Sequence, residues 1–137
     1  MQRSDDPVAQ FLSPEVTASK VARIWRLAQD ANPKIRESAA LSYHAPLEVS
    51  EALARDPEPS VRACLARNEH TPCDVLRQLA SDPDETVRAW VAINYFVPAD
   101  AMERLAEDES ATVRALVAWK ASLAEDADAP MPQLVTV

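Results

Sequence analysis

Hydrophobic residues recur along this chain at helical spacing, in short stretches separated by polar turns. In the clearest stretch, Val75, Leu76 and Leu79 fall on one side of a helix, and polar residues occupy the other side. Val87 and Val91 then lie one turn apart on a second helix. This pattern predicts a pair of short helices, the first of which leaves its outer side in solvent.

Proline and small polar residues mark where these helices begin and end. Thr71 and Pro72 suit the start of the first helix, since threonine caps helices and proline is favoured in the first turn. Pro83 disfavours a helical conformation at Asp82 and so ends that helix. The chain has no glycine, and Asn94 is the predicted end of the second helix because asparagine tolerates the left-handed conformation.

The helix pair recurs with a period of 26 residues. The residues that keep this step are Leu27, Leu53, Leu79 and Leu105; Asp30, Asp56, Asp82 and Asp108; Ala40, Ala66, Ala92 and Ala118; and Pro46, Pro72 and Pro98. A short fixed period is the signature of stacked supersecondary units. We therefore predict an all-α protein, a right-handed α-solenoid of about four 26-residue helical-hairpin repeats.

The periodic part of the chain is predicted to form one domain. We place a flexible N-terminus at residues 1–12, a single helical-repeat domain at 13–124 and a flexible acidic, proline-containing tail at 125–137. Ser13 and Pro14 are predicted to open the first helix of the domain, which belongs to the most divergent repeat.

Two motifs of the repeat resemble those of known helical-repeat families. The first, D-x4-[VI]-R, covers residues 56–62 and recurs in the other units; it is similar to the Asp/Arg signature of HEAT repeats. The second, A-x-N-x3-P-x6-L-A-x-D, covers residues 66–82 and 92–108. The whole unit resembles the leucine-rich repeat variant, whose repeats are purely helical, over residues 20–124. The resemblance implies the fold and leaves the function open.

The best-known leucine-rich repeat variant protein also carries a cysteine-rich segment that binds an iron–sulfur cluster. This chain has only two cysteines, Cys64 and Cys73, without C-x-x-C spacing. The cofactor of that protein is therefore not expected here, and we predict no bound cofactor or metal. Both cysteines are expected to be reduced thiols.

An arginine recurs in each unit beside the aspartate series. On a helical wheel Arg88 lies between Val91 and Ala92, on the flank that packs, so its guanidinium requires a partner. We expect that partner to be Asp82, six residues earlier. The alternative is a row of arginines that grips phosphates or carboxylates. We favour a structural ladder that ties each turn to the next, formed by Asp30, Arg36, Asp56, Arg62, Asp82, Arg88, Asp108 and Arg114.

Another stripe of the second helix varies between units, in contrast to the packing positions. Such variation is expected of a scaffold with one tailored face, and exposed tryptophan and arginine residues are typical interface anchors. The predicted partner-binding residues are Trp90, Ile93, Asn94, Leu116, Trp119, Lys120, Arg67 and Asn68. The alternative is that Trp119 closes the C-terminal end and Trp90 fills a gap between repeats.

Charge and composition narrow the partner classes. The 137 residues carry a formal net charge of −8, which disfavours nucleic-acid and membrane-surface binding and favours a basic protein segment. No uncharged run reaches the roughly 18 residues of a membrane-spanning helix, and the first residues lack the apolar core of a signal peptide. We therefore expect a cytoplasmic protein.

The residues that could carry catalysis have simpler interpretations. His44 and His70 keep the 26-residue step, but no carboxylate spacing around them suggests a site. The acidic run 107–109 is better explained as a solvated rim than as an acid pair, and Cys64 as a small packing residue. We predict no catalytic residue and no enzyme activity.

The sequence thus predicts a non-enzymatic protein–protein interaction module. It would be a helical-repeat scaffold or adaptor that binds a protein segment, expected to be basic, on the variable face of the second helices. One alternative is a nucleic-acid-binding or base-modifying protein of the HEAT-like type. Another is a self-assembling structural subunit, and the sequence leaves the formation of homo-oligomers open.

Overall fold

The computed structural model describes residues 17–123 and shows only helices and turns in that range. The eight helices are α1 (Ala18–Ala28), α2 (Pro33–Ala40), α3 (Leu47–Leu53), α4 (Pro59–Arg67), α5 (Cys73–Leu79), α6 (Glu85–Ile93), α7 (Ala99–Leu105) and α8 (Ala111–Ser122). This confirms the predicted all-α class. The predicted flexible ends, 1–12 and 125–137, and the predicted helix start at Ser13 and Pro14 lie outside the described residues.

The helices contact one another in a regular order. Each odd-numbered helix packs against the even-numbered helix that follows it. The even-numbered helices also pack in series, α2 on α4, α4 on α6 and α6 on α8. Residues that keep the 26-residue step supply the core between them: Val61, Val87 and Val113 from the even-numbered helices and Leu53, Leu79 and Leu105 from the odd-numbered ones. The even-numbered helices therefore form the continuous part of the packed interior.

Prolines begin most of the helices. Pro46, Pro72 and Pro98 occupy the N-cap positions of α3, α5 and α7. Pro33 and Pro59 lie in the first turns of α2 and α4. Proline fits there because the first N–H groups of a helix have no acceptor within the helix. In this chain without glycine, prolines therefore separate the helices mainly by marking where the next helix starts.

One predicted helix start, and the reason given for one correctly predicted helix end, need correction. Thr71 is not the cap of α5, whose N-cap is Pro72; its buried hydroxyl donates to the carbonyl of Leu65 at 2.7 Å. Asn94 does end α6, but with φ −65° and ψ 130°, so a left-handed backbone is not the reason. No residue in the range 17–123 has a positive φ. The helix ends because the backbone becomes extended at Asn94.

A bidentate arginine–aspartate contact joins each helix pair to the next. Arg88 donates from Nε to Asp108 Oδ2 at 2.8 Å and from Nη2 to Oδ1 at 3.1 Å. Its Nη1 donates to the backbone carbonyl of Asp82 at 2.7 Å. The predicted pairing of Arg88 with the Asp82 carboxylate is therefore wrong. The carboxylate partner belongs to the next helix pair, and Asp82 is bound through its backbone.

The same contact recurs earlier in the chain. Arg36 pairs with Asp56 at 2.7 Å, and Arg62 pairs with Asp82 at 2.8 Å. Both arginines also donate from Nη1 to the carbonyl of the aspartate in their own helix pair. At the C-terminal end, Arg114 keeps this carbonyl contact but forms no ion pair within residues 17–123. The ladder thus has three complete steps in the described part of the chain.

Each acceptor aspartate also orders the turn before the next even-numbered helix. Asp108 Oδ1 accepts from the N–H of Ser110 at 2.8 Å, and Asp82 Oδ1 accepts from the N–H of Asp84 at 2.9 Å. Burial by itself would raise the pKa of Asp108, but the hydrogen bonds from Arg88 and Ser110 and nearby arginine charges bring it below its ordinary value. Its stabilising effect is therefore present above about pH 4 and is lost as the pH falls through the folded-state pKa.

Replacing Arg88 with alanine should be far more destabilising than the same change at Arg114. Arg88 and Asp108 have side chains only 8% exposed, so Arg88→Ala leaves a largely buried carboxylate without its partner. We expect the free energy of unfolding to fall by about 3 kcal/mol, as measured by urea denaturation at pH 7. Arg114→Ala is the matched control, since that arginine is exposed. Equal losses for the two variants would show that the inter-pair contact is not what stabilises the fold.

Candidate interaction surface

The structure divides the predicted partner-binding residues into two groups. Leu116 is 0% exposed, Asn94 is 3% exposed and Asn68 is also buried. The prediction that Leu116 and Asn94 contribute to an exposed patch is wrong, because they lie where one even-numbered helix packs against the one before it. Asn68 is buried in the same way, but it also lines the groove described below. The exposed or half-buried members of the predicted set are Arg67, Trp90, Ile93, Trp119 and Lys120.

The repeat position occupied by Asn68, Asn94 and Lys120 carries a hydrogen-bond donor that binds the preceding helix pair. Asn68 Nδ2 donates to the carbonyls of Ala40 and Ser42, each at 2.9 Å. Asn94 makes the equivalent contacts one period later. At the next period the Lys120 ammonium takes the same place, donating to the carbonyls of two residues of the preceding pair, and burial lowers the pKa of Lys120. These hydrogen bonds connect each helix pair to the one before it, and we call them the joints between helix pairs.

The variable stripe is largely the flank on which each even-numbered helix packs against its predecessor. Ser60 Oγ donates to Glu37 Oε2 at 3.2 Å, and Cys64 Sγ donates to Glu37 Oε1 at 3.7 Å. Trp90 lies under Arg67, with the guanidinium carbon 5.4 Å from the ring centroid. Residues on this flank differ between units because each is matched to a different neighbour.

Exposed aromatic side chains gather at the turns that follow the even-numbered helices. Tyr95 is 76% exposed, Tyr43 is 68% exposed and Phe96 is exposed as well. We call Tyr43, His44, His70, Tyr95 and Phe96 the aromatic edge. Sequence reasoning treated the two histidines as isolated turn residues and missed both tyrosines. The signal was available in the 26-residue register, since positions 43–44 and 95–96 both carry pairs of ring side chains.

Ring contacts order part of the aromatic edge. The rings of Tyr43 and His70, which come from successive turns, have centroids 4.3 Å apart and are tilted by 35°. Tyr95 and Phe96 form an edge-to-face pair with centroids 4.9 Å apart. Because the contact of Tyr43 with His70 crosses between helix pairs, the turns after α2 and α4 present one continuous surface.

An open groove lies beside the first part of the aromatic edge. Residues that line it are Leu41, Tyr43, Arg67, Asn68, Glu69, His70 and Trp90, and we call it the Arg67 groove. Arg67 forms no ion pair with any residue that the structure describes, so its N–H groups are available to an acceptor. The groove therefore offers apolar and aromatic surface together with one cation and one carboxylate.

The opposite ends of the even-numbered helices are acidic. The carboxylates at these turns, which we call the acidic edge, are Asp30, Glu58, Asp84, Glu85, Glu107 and Glu109. Three of the four ladder arginines, Arg36, Arg62 and Arg88, already bind aspartates, so the donors used in these contacts are not free to hold phosphates. Helix α4 has nine residues, so the two edges lie about 13 Å apart.

The described residues offer little for metal or nucleophilic chemistry. Within residues 17–123, no three His, Cys, Asp or Glu side chains are grouped so as to hold a metal ion. Burial, and after it the charge of Glu37, raises the pKa of the Cys64 thiol, which disfavours the thiolate that a nucleophile needs. No helix in this range has the length and apolar character required to cross a bilayer.

Comparison with protein-family models, curated proteins and solved structures gives no match. The similarity to leucine-rich repeat variant and HEAT-like proteins therefore stays a prediction based on the repeat motifs. The function has to be argued from the surfaces themselves.

Replacing Asn94 with alanine should lower stability, as expected of a joint between helix pairs. The change removes hydrogen bonds of 2.8 Å to the Ala66 carbonyl and 3.1 Å to the Asn68 carbonyl, and leaves both acceptors without this donor. We expect a loss of about 2 kcal/mol in the free energy of unfolding, measured by chemical denaturation. Thr86→Ala, at an exposed position of the same helix, should cost less than about 0.5 kcal/mol. An Asn94→Ala protein as stable as this control would argue against the joint.

The two cysteines should differ in reactivity. Cys73 is exposed, whereas Cys64 is buried and its raised pKa leaves less thiolate at pH 8. Reaction of the folded protein with an aromatic disulfide reagent should therefore show a fast phase and a slow phase of equal amplitude. Cys73→Ser should remove the fast phase and Cys64→Ser the slow one, as followed by absorbance. A fast phase that persisted in Cys73→Ser would mean that Cys64 is reactive.

Proposed function

We propose that this chain is a non-enzymatic protein-interaction module built as a right-handed solenoid of four helical-hairpin repeats. It binds a segment of a partner protein in the Arg67 groove and along the aromatic edge. The observation that carries the proposal is the placement of the rings: both tyrosines of the chain, Tyr43 and Tyr95, are strongly exposed on the same type of turn. Isolated exposed rings need no explanation, but rings gathered on one edge are typical of contact surfaces.

The repeated contacts between helix pairs support the solenoid part of the proposal. The Arg–Asp contact and the asparagine contact each recur at the 26-residue step and each join one pair to the next. An arrangement in which every unit is bonded mainly to its neighbours is that of a solenoid. Solenoids present extended surfaces, and these are commonly used for binding.

The pair formed by Arg67 and Trp90 is the expected anchor of the site. The cation–π contact with the indole ring holds the guanidinium beside Trp90, and its N–H groups remain available for hydrogen bonds. Tryptophan, tyrosine and arginine are the residues that most often dominate binding energy. A partner segment would place an apolar side chain against Trp90 and Leu41 and a carbonyl or carboxylate against Arg67.

Charge favours a partner that is basic outside this central contact. The chain carries a net charge of −8, the acidic edge concentrates carboxylates, and Glu69 lies in the groove itself. Such a field attracts Lys- and Arg-rich segments and repels acidic ones. It also disfavours the alternative of nucleic-acid binding, since Arg36, Arg62 and Arg88 are bonded to carboxylates rather than exposed.

Peptides selected against the chain should bind in the Arg67 groove. Selection from a random peptide library, followed by fluorescence anisotropy titration, tests this without a known partner. We expect selected peptides to be enriched in Lys or Arg and to contain an apolar or aromatic residue. Arg67→Ala and Tyr43→Ser should each weaken their binding by about tenfold or more, because these side chains supply the anchor contacts.

Matched changes elsewhere on the surface provide the control. Arg55 and Leu47 are exposed at the two ends of helix α3, so Arg55→Ala and Leu47→Ser should leave the affinity within about twofold. The proposal fails if the selected peptides bind all four variants equally. Tight binding of a duplex or single-stranded DNA in a low-salt mobility shift would instead favour the nucleic-acid alternative.

A further inference from the structure

Each complete step of the ladder uses two sets of donors on one arginine. In Arg88, Nη1 binds the carbonyl of the aspartate in its own helix pair, while Nε and Nη2 bind the carboxylate of the next pair. Arg36 and Arg62 use their donors in the same way. A complete contact therefore requires a helix pair on each side of the arginine.

At each end of the described range, only one half of this contact is present: the arginine at the C-terminal end and the aspartate at the N-terminal end. Arg114 donates to the carbonyl of Asp108 but forms no ion pair within residues 17–123. Asp30 Oδ1 accepts from the N–H of Asn32 at 2.8 Å, which is the turn made by the other ladder aspartates. No arginine in the described range pairs with the Asp30 carboxylate. A donor set is thus exposed at one end and its matching acceptor at the other.

The face of α8 around Arg114 is also uncovered in the described range. Ala115 and Ala118 are exposed, whereas Ala89 and Ala92, at the equivalent positions of α6, are buried where α8 packs. Alanine side chains at these positions allow another helix to approach closely, as α8 itself does on α6. The exposed face of α8 therefore carries the same small side chains as the face of α6 on which α8 packs, beside an arginine without a carboxylate partner within residues 17–123.

We infer that copies of this chain associate head to tail, with α8 of one copy packed against α2 of the next. Arg114 of the first copy then binds Asp30 of the second, which reproduces between copies the contact of Arg88 with Asp108 within one. A heterologous contact of this kind does not close on itself, so it extends into linear assemblies. The contact rests on the same stacking of helix pairs as the proposed function, and Leu41 at the end of α2 also lines the Arg67 groove. It needs no peptide in the groove, so the association measurement and the peptide titration can fail separately.

The contact between copies is weaker than the joints inside one. Ser42 occupies the repeat position that Asn68 and Asn94 occupy in the later helix pairs. Its Oγ already donates to the Ser38 carbonyl at 3.1 Å, so the hydrogen bonds that Asn68 makes to the preceding pair within the chain are missing between copies. Lys34, with a side chain 79% exposed, must remain at the rim of the contact. The copies also repel, since each carries a charge of −8. Salt at about 0.15 M shortens the screening length to about 8 Å and lessens this repulsion.

Sedimentation equilibrium of the full chain tests the inference. The weight-average mass should rise above 15.1 kDa as the concentration approaches about 1 mM, the range of weak specific contacts. Asp30→Lys and Arg114→Glu should each lower the association constant by about tenfold or more, because each places like charges at the contact. Circular dichroism verifies that both variants are folded. Glu48→Lys and Arg55→Glu carry the same charge changes at exposed sites away from the ends and should leave association unaffected.

An equimolar mixture of the two variants is the decisive measurement. In the mixture, the unaltered Arg114 of the Asp30→Lys copy meets the unaltered Asp30 of the Arg114→Glu copy, so association should return. A wild-type chain that stays monomeric over the whole concentration range overturns the inference. So does a mixture that remains as dissociated as its components, or a loss of association in the two surface controls.

Discussion

The bidentate contact between an arginine of one helix pair and an aspartate of the next sets how the helix pairs of residues 17–123 are stacked. It constrains the distance and the angle between successive pairs, because a guanidinium fork donates two parallel hydrogen bonds to a carboxylate in one plane. The same carboxylate holds the turn that begins the next even-numbered helix, as Asp82 does for α6 through the N–H of Asp84. The position of one helix pair is therefore transmitted to the start of the next.

A second contact acts at the other end of α4, α6 and α8. There Asn68 and Asn94 reach back to carbonyls of the preceding pair, while Arg62 and Arg88 reach forward to its successor. Between these two polar joints the helices meet through small side chains such as Ala66, which is fully buried. Helices of seven to nine residues are unstable in isolation. Contacts with the neighbouring helix pairs at both ends compensate for this. Lys120 shows that the rear joint requires a donor rather than an amide as such.

The sequence was sufficient to locate the helices but not to identify which residues contact one another between them. The helical spacing of apolar residues and the fixed prolines located α5 and α6 to within about two residues. The carboxylate partner of Arg88 could not be chosen, because positions six residues before and 20 residues after it occupy the same register of a 26-residue period. A helical wheel showed that one flank of the second helix varies between units. It could not show whether that flank faces solvent or the preceding helix. Leu116 and Asn94 were misplaced for that reason. The exposed tyrosines were missed because they lie in turns, outside the helical pattern of apolar residues, although their positions keep the 26-residue register.

The separation of the two edges determines how charge can act in the proposed binding. The aromatic edge and the acidic edge lie at opposite ends of helices such as α4, which has nine residues and is about 13 Å long. This distance exceeds the screening length of about 8 Å at physiological salt, so a segment seated in the Arg67 groove is largely shielded from the acidic edge. The acidic edge can therefore orient and attract a basic partner during approach, and Glu69 is the carboxylate that remains close after docking. Specificity would then reside in the ring and guanidinium contacts of the groove, and the net charge would act mainly on the rate of encounter.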